Sequence, residues 1–215
     1  MTRDTLLQQA VLAELSWQPS ITASHIGVTA ENGVVTLTGH VETFAEKRAA
    51  EAAVGRVCGV KAVAENIEVK QPFAMKRTDD QIAAAILERL ACDVVVPKDR
   101  IKVKVENGWI TLTGDVDLHF QAEAAEDVCH RMLGVVSVFN QIAIKPRVSA
   151  ANIHEKIKLA LHRSWYEPAK IKVTADGGKV RLTGSVRTWY ERQEVETAAW
   201  DAPGVTMVDN AIVID

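Results

Sequence analysis

Apolar and polar side chains alternate along three similar stretches of this chain. The stretches read VVTLTGHV at 34–41, WITLTGDV at 109–116 and KVRLTGSV at 179–186. Alternation with a period of two predicts a half-buried β-strand. Each stretch ends on Thr-Gly, one variable residue and Val. The variable residue is His, Asp or Ser, whereas a catalytic residue would repeat. The shared pattern therefore indicates a structural element and not an active-site loop.

The same stretches mark a longer repeat. Their glycines are 75 and 70 residues apart, and a second glycine follows each of them 20 residues later, with an asparagine shortly after it. The landmark residues are Gly39, Gly59, Asn66, Gly114, Gly134, Asn140, Gly184, Gly204 and Asn210. Agreement of these spacings in three copies predicts three tandem repeats of about 70 residues.

Each repeat is predicted to contain two helices and three strands. Apolar residues at helical spacing open it, as Ile82, Ile86 and Leu90 do in the second copy. Two alternating strands follow, joined by Asn-Gly or Gly-Gly, which supply the positive φ angles of a tight hairpin turn. An alanine-rich helix comes next, which we expect the second glycine to cap, and a last strand completes the repeat.

These elements predict an α+β fold of three tandem αββαβ units, at residues 2–70, 77–146 and 148–215. Each unit is expected to form a three-stranded mixed sheet with two helices on one face. We interpret the glycine of Thr-Gly as the residue that lets the chain leave its strand for the helix, through a positive φ or a close backbone approach. Because such units are near the lower size limit for independent stability, we expect neighbouring units to contact one another.

The spacing of these motifs resembles the BON domain family, named for bacterial osmotically inducible and nodulation proteins. Thr-Gly-x-Val, the later Gly-Val-x-x-Val and the following Asn carry the resemblance, which covers nearly the whole chain as three copies. It implies a module without enzymatic activity. Phospholipid association is the usual proposal for this family of mostly envelope proteins, and some cytoplasmic relatives are linked to potassium binding.

Composition excludes several classes of protein. Hydrophobic residues make up 47% of the chain, charged residues make up 25%, and the net charge is −3, so attraction to nucleic acid is not expected. No apolar run is long enough to span a bilayer. The first residues contain no apolar leader region, so we expect a cytoplasmic location, or a periplasmic one if a leader was removed. The oligomeric state stays open.

Residues with catalytic or metal-binding chemistry do not form a recognisable pattern. The histidines do not recur between repeats, and the sequence contains neither a glycine-rich phosphate loop nor a nucleophile elbow. Cys58, Cys92 and Cys129 lack C-x-x-C spacing and are interpreted as small hydrophobes in a reducing cytoplasm, with a regulatory thiol as the alternative. The asparagine landmarks are interpreted as structural residues that bond to nearby backbone. We therefore expect no enzyme, cofactor or metal.

Basic residues are concentrated on one predicted sheet face. If the apolar residues of the strands point to the core, the residues between them point away. The basic residues at these outward positions are Lys102, Lys104, Lys170, Lys172, Lys179 and Arg181. One interpretation is an ordinary solvated face. The other is a surface that meets anionic lipid headgroups or an acidic protein.

The tryptophans also have two interpretations. The five residues lie near predicted element boundaries, where they either pack in a core or between repeats, or anchor the chain at a membrane interface. They are Trp17, Trp109, Trp165, Trp189 and Trp200. Our hypothesis is a non-catalytic binding or structural protein that associates with phospholipid or with an envelope or stress-related protein. The alternative is a cytoplasmic regulator that binds potassium through backbone carbonyls, a kind of site that leaves no residue signature.

Overall fold

The computed structural model describes residues 2–73, 76–145, 153, 157, 160 and 171–215. The α-helices that lie wholly within these residues are α1 (Arg3–Trp17), α2 (Phe44–Gly55), α3 (Asp79–Cys92), α4 (His119–His130) and α5 (Trp189–Trp200). The strands are β1 (Ile26–Glu31), β2 (Val34–Val41), β3 (Ala62–Val69), β4 (Ile101–Glu106), β5 (Trp109–Val116), β6 (Ser137–Ile144), β7 (Ile171–Asp176), β8 (Lys179–Val186) and β9 (Met207–Ile214). In the opening helix predicted for the third repeat, Ile153 and Ile157 are helical.

Each sheet consists of a hairpin with a third strand added beside it. In the first sheet the order is β1–β2–β3, with β1 antiparallel and β3 parallel to β2. The second sheet repeats both pairings in the order β4–β5–β6. The third has the order β7–β8–β9, with β7 antiparallel to β8. A parallel pair needs a crossover, which α2 and α4 supply. The predicted α+β class and its three repeats are confirmed.

Apolar stripes on the helices cover one face of each sheet. In the first repeat, Leu7, Val11 and Leu15 of α1 are buried at helical spacing and join Val35 and Leu37 of β2 in one core cluster. The buried residues at the same spacing on α3 are Ile82, Ile86 and Leu90. Small residues on the second helix allow close packing, and the fully buried ones are Ala50 and Ala53 on α2, Ala125 on α4 and Ala199 on α5. In the described part of the chain, the opposite faces of the first and second sheets carry no helix of their own repeat.

The hairpin turns have the predicted geometry. Asn32 and Gly33 join β1 to β2 with φ angles of 52° and 84°. Asn107 and Gly108 follow with 52° and 76°, and Gly177 and Gly178 with 53° and 91°. Two successive positive φ angles are what a type I′ turn requires, and this turn matches the twist of the strands that it joins.

The glycine of each Thr-Gly pair lies inside the central strand. Gly39 lies opposite Ile26 and two residues before the end of β2 at Val41. Its φ is 123°, and a Cβ atom there would lie 2.0 Å from the carbonyl oxygen of His25. Similar φ angles, 134° and 137°, occur at Gly114 and Gly184. Positive φ and close approach are both present, but the strand continues beyond this glycine. The interpretation as a strand exit is therefore wrong.

The second glycine of each repeat lies beyond the end of the helix. In the first repeat, α2 ends at Gly55, and Gly59 (φ 91°) lies in a turn that the Val60 N–H closes onto the Val57 carbonyl oxygen at 3.4 Å. The corresponding φ angles are 94° at Gly134 and 95° at Gly204. The predicted helix cap is thus wrong, and this glycine instead forms the turn that leads into the last strand.

A polar residue in the first turn of α2, α4 and α5 holds the chain that precedes the helix. Glu46 Oε1 accepts a hydrogen bond from the Thr22 N–H at 2.7 Å, and its Oε2 accepts one from the Glu42 N–H at 3.1 Å. The corresponding acceptors are Gln121, for the Asp117 N–H, and Glu191, for the Arg187 N–H. Each follows the Thr-Gly glycine by seven residues. This spacing is a sequence signal that the alternation of apolar residues does not reveal.

By its internal contacts the chain divides into two compact units. One comprises Met1–Lys76, Val186–Arg192 and Ile214–Asp215, and the other comprises Arg77–Ser185 and Gln193–Val213. Within the first unit, Trp189 packs against the core of the first repeat. Within the second, the His119 ring stacks on Trp200 with centroids 4.1 Å apart. The predicted contacts between repeats are therefore present inside each compact unit.

Candidate functional site

We call the side of each sheet opposite its own helices the open face. In the third repeat, Lys172 on β7 and both Lys179 and Arg181 on β8 are exposed there and alternate with buried apolar residues. Arg181 Nε lies 3.4 Å from Asp209 Oδ2 on β9, and so exposed a pair contributes little to stability. Lys172 and Lys179 form no ion pair within the described ranges. Lys170, which was predicted on the same face, lies outside them.

The open face of the second repeat combines lysines with two aromatic side chains. Trp109 on β5 and Phe139 on β6 stack with ring centroids 5.5 Å apart and an interplanar angle of 18°. Each is 47% exposed. Lys102 and Lys104 on β4 are exposed on the same face. Lys104 Nζ lies 2.9 Å from Glu106 Oε2, whereas Lys102 has no ion-pair partner among the residues that the structure describes.

Two carboxylates at one end of this face are held by an arginine. The Arg100 guanidinium donates to Asp115 and, at 3.0 Å, to Asp117 Oδ1. The hydrogen bond from Arg100 lowers the pKa of the Asp115 carboxyl below its ordinary value. The corresponding positions in the first repeat hold His25 and His40, whose rings stack with centroids 4.8 Å apart. This part of the open face therefore differs chemically between repeats.

The asparagine landmarks of the second and third repeats join the last strand to the second helix. Asn140 Nδ2 donates to Glu126 Oε2 at 2.9 Å, and its Oδ1 accepts from the Ile142 N–H at 3.1 Å. In the third repeat the corresponding bonds join Asn210 to Glu196 at 2.8 Å and to Ile212 at 3.2 Å. The predicted bonding to nearby backbone is confirmed for these two asparagines, and the helix carboxylate is an additional partner.

In the first repeat a different residue occupies that position. Asn66 is exposed, and Glu65 lies opposite Leu37 just as Asn140 lies opposite Leu112. Asn66 follows its glycine by seven residues and Asn140 follows its own by six, while β3 and β6 keep the same register with the central strand. The side chain of Asn66 therefore points to the other face of its strand. The role predicted for Asn66 is therefore wrong, and Glu65 is the structural counterpart of the other two asparagines.

Glu65 is a half-buried carboxylate that is poorly satisfied. Lys47 Nζ lies 3.6 Å from Glu65 Oε2 and donates to the Ile67 carbonyl oxygen at 3.0 Å. Glu65 Oε1 is buried without a hydrogen-bond partner among the described residues. Burial raises the pKa of Glu65, and the charge of Glu51 raises it further, whereas Lys47 and Arg48 oppose the shift. The ionised form is thus disfavoured at this position.

A model of the BON domain matches residues 3–71, 78–146 and 149–215. The chain belongs to the BON domain family. This BON protein is 30% identical over 146 residues to the Osmotically-inducible protein Y of Escherichia coli (strain K12), a match that covers 66% of the chain and 73% of that relative.

Two solved structures of CdsD, a structural protein of the Type III secretion system of Chlamydia trachomatis, align with this BON protein at 18% identity. One alignment covers 96% of this chain and 91% of the other, and the second covers 100% and 99%. Both have a TM-score of 0.27.

Groups that act as metal ligands or nucleophiles are scattered in this BON protein. Across the described ranges, no three His, Cys, Asp or Glu side chains are arranged to hold a metal ion. Cys58 and Cys92 are exposed thiols. Burial raises the pKa of Cys129 to about 12, so this thiol stays protonated at neutral pH. His154 and His162 lie outside the described residues.

The tryptophans divide between packing and exposure. Trp189 and Trp200 pack as described above, so contact between repeats is confirmed for these two residues. Trp17 is 82% exposed on α1, and Trp109 is half exposed on an open face. Trp165 lies outside the described residues. None of the helices traced in the described ranges is both long and apolar enough to cross a bilayer.

Proposed function

We propose that this BON protein is a non-catalytic binding module that associates with anionic phospholipid surfaces through the open faces of its second and third repeats. The observation that carries the proposal is a set of exposed lysines without an ion-pair partner in the described part of the chain. These are Lys102, Lys172 and Lys179. Because these three side chains are exposed and point away from the core-facing residues of their strands, their ammonium groups have access to a flat partner.

The expected attraction is weak and depends on salt. A basic side chain close to an anionic membrane surface contributes about 1 kcal/mol. The net charge of the chain is −3, so attraction has to come from local clusters and not from the whole molecule. Exposed charges are screened over about 8–10 Å at ordinary ionic strength. Binding should therefore weaken as salt rises.

Similarity to the Osmotically-inducible protein Y suggests a setting for this binding. We propose that the chain acts under osmotic stress, at a lipid surface or on a protein that shares the anionic character of such a surface. Electrostatic association responds directly to ionic strength, which rises when salt raises the external osmolarity. This role requires no catalytic group.

Vesicle flotation of the full chain tests the proposal. We expect binding to phosphatidylglycerol vesicles at low salt, weaker binding at physiological salt, and none to phosphatidylcholine vesicles. Replacing Lys172, Lys179 and Arg181 together by Glu should remove the salt-dependent part of the binding without lowering the melting temperature, because all three side chains are exposed.

A matched control changes the net charge equally at another place. Lys61, Lys70 and Lys98 are exposed and lie outside the strands, so their joint replacement by Glu should leave most of the binding intact. If both triple variants lose binding equally, net charge and not the open face governs association. Equal binding to neutral and anionic vesicles would remove the electrostatic mechanism, and no binding at low salt would remove lipid as the partner.

A further inference from the structure

The aromatic pair of the second repeat is not required by the repeated fold. The two residues stand five positions before the Thr-Gly glycine and five positions after the second glycine. Each repeat has a different pair of residues at these two open-face positions. These pairs are Val34 with Ala64 in the first repeat, Trp109 with Phe139 in the second, and Lys179 with Asp209 in the third. Since the strands form with small, aromatic or charged residues there, the aromatic side chains need another explanation.

The pair belongs to an apolar corner of the second sheet. Trp109 and Phe139 stack on each other while 47% of each side chain stays in contact with solvent. Leu133, 45% exposed, precedes Gly134, whose carbonyl oxygen lies only 2.6 Å from where a Cβ atom of Gly108 would be. Leu133 therefore sits at the same hairpin end of the sheet as Trp109. Apolar groups exposed together in this way often mark an interaction surface.

Cations adjoin this corner on the same face. Lys104 lies opposite Thr111, which lies opposite Phe139 on the next strand. The side chains of Lys104 and Phe139 therefore lie in one row across the sheet. Lys102 is in the following row. Glu106 is paired with Lys104, and Asp115 with Arg100, so the acids of the face are largely neutralised. Apolar rings beside cations match the charge and polarity of an anionic membrane surface.

We propose that Trp109 and Phe139 enter the boundary between headgroups and acyl chains, so that the second repeat supplies the apolar anchor and the third supplies electrostatic attraction. This inference rests on the proposed function and deepens it. Aromatic side chains are favoured at that boundary because an apolar ring and a polar edge suit its two sides. The Trp109–Phe139 pair then provides the part of the binding that salt does not screen.

Fluorine NMR of the full chain tests which residue meets lipid. Labelling with 5-fluorotryptophan gives one resonance for each of the five tryptophans, and the Trp109→Phe variant assigns the resonance of interest. With phosphatidylglycerol vesicles that contain a doxyl-labelled lipid, we expect the Trp109 resonance to broaden. The resonance of Trp189, which packs against a protein core, should stay sharp.

Flotation of variants gives a second measurement. Trp109→Lys with Phe139→Asp reproduces the pair that the third repeat already accommodates, so folding should persist. We expect this variant to bind vesicles about tenfold more weakly and to lose the salt-resistant part of binding. Trp17→Ala is the matched control, because Trp17 is more exposed than Trp109 but lies on α1. It should bind like the wild type.

The outcomes separate this inference from the proposed function. Flotation of the wild type with an unchanged Trp109 resonance would overturn the anchor and leave electrostatic lipid binding standing. An absence of flotation at low salt would overturn both. Stacked aromatic rings beside lysines also suit single-stranded nucleic acid. Binding of an oligothymidylate that the double variant abolishes, without vesicle binding, would replace the lipid by that ligand.

Discussion

At the scale of single residues, backbone geometry explains why the Thr-Gly glycine recurs. Gly114 has a φ of 134°, and a Cβ atom there would lie 2.1 Å from the Arg100 carbonyl oxygen. Replacing Gly114 by Val should therefore lower the free energy of unfolding by roughly 1–3 kcal/mol. Urea denaturation of the purified variant measures this change.

A second glycine provides the control for this substitution. Gly177 has a φ of 53° with nothing within 4 Å of its added Cβ, and Asn32 and Asn107 hold the same turn position at 52°. Gly177→Asn should unfold at nearly the wild-type urea concentration. If the Gly114→Val variant proves as stable as this one, the close approach carries no energetic weight.

Glu65 makes the stability of the first repeat depend on pH. Burial raises its pKa in the folded state above the ordinary value of 4.5, so the folded chain keeps a proton that the unfolded chain has lost. The contribution of Glu65 to stability is greatest below pH 4.5 and declines as pH rises through the folded-state pKa. Glu65→Asn should therefore be more stable than the wild type at pH 7, with a gain that shrinks toward pH 4.5.

The reverse substitution in another repeat checks this argument. Asn140→Glu would place a carboxylate beside Glu126 and remove the Nδ2 donor. We expect it to lower stability at pH 7 and to make unfolding more sensitive to pH in urea titrations. A Glu65→Asn variant with the wild-type pH profile would show that Lys47 already compensates the buried charge.

At the scale of an element, the start of the second helix depends on its anchoring acceptor. Glu46 is only 9% exposed and accepts two backbone hydrogen bonds, whereas Glu191 anchors the chain through the Arg187 N–H. Glu46→Ala leaves two partly buried N–H groups without their acceptor, which should cost roughly 2–4 kcal/mol. Glu191→Ala should cost about 1 kcal/mol. Equal losses in thermal or urea unfolding would contradict this assignment.

At the scale of the whole molecule, the third repeat is complete in its sequence pattern yet packs on another repeat. Trp189 contacts the core of the first repeat, and the Arg192 guanidinium lies 5.1 Å from the centroid of its ring. A fragment of residues 147–215 should retain helix–strand circular dichroism and a cooperative melt, but at a lower temperature than the full chain. Trp189→Ala in the full chain should cost about 2 kcal/mol, less than for a fully buried tryptophan.

These two measurements decide whether the repeats are folding units. A fragment without a cooperative melt would contradict the boundary at residue 148. A Trp189→Ala chain that melts like the wild type would show that contact between the first and third repeats contributes nothing to stability.

The sequence by itself determined the three repeats, their strands and helices, the hairpin turns and the family. The physical reason is that these features depend on local rules. A period of two places apolar residues on one face, and Asn-Gly or Gly-Gly adopts the positive φ angles of the turn. The outward placement of Lys172, Lys179 and Arg181 follows from the same alternation. The hydrogen-bond acceptor at Glu46 could also have been predicted from the sequence, because a Glu or Gln follows the Thr-Gly glycine by seven residues in every copy.

Only the tertiary structure decided which residues meet across the fold. On the helix-facing side of β3, Glu65 takes the place that Asn140 has on β6, because successive side chains of a strand point to opposite faces and Asn66 is one position later. Likewise, Trp109 stacks on Phe139 only because β5 and β6 pair in parallel, and Arg181 lies beside Asp209 only because β8 and β9 are neighbours. Such contacts join positions that are far apart in the chain, so they depend on packing and register, which no local pattern specifies.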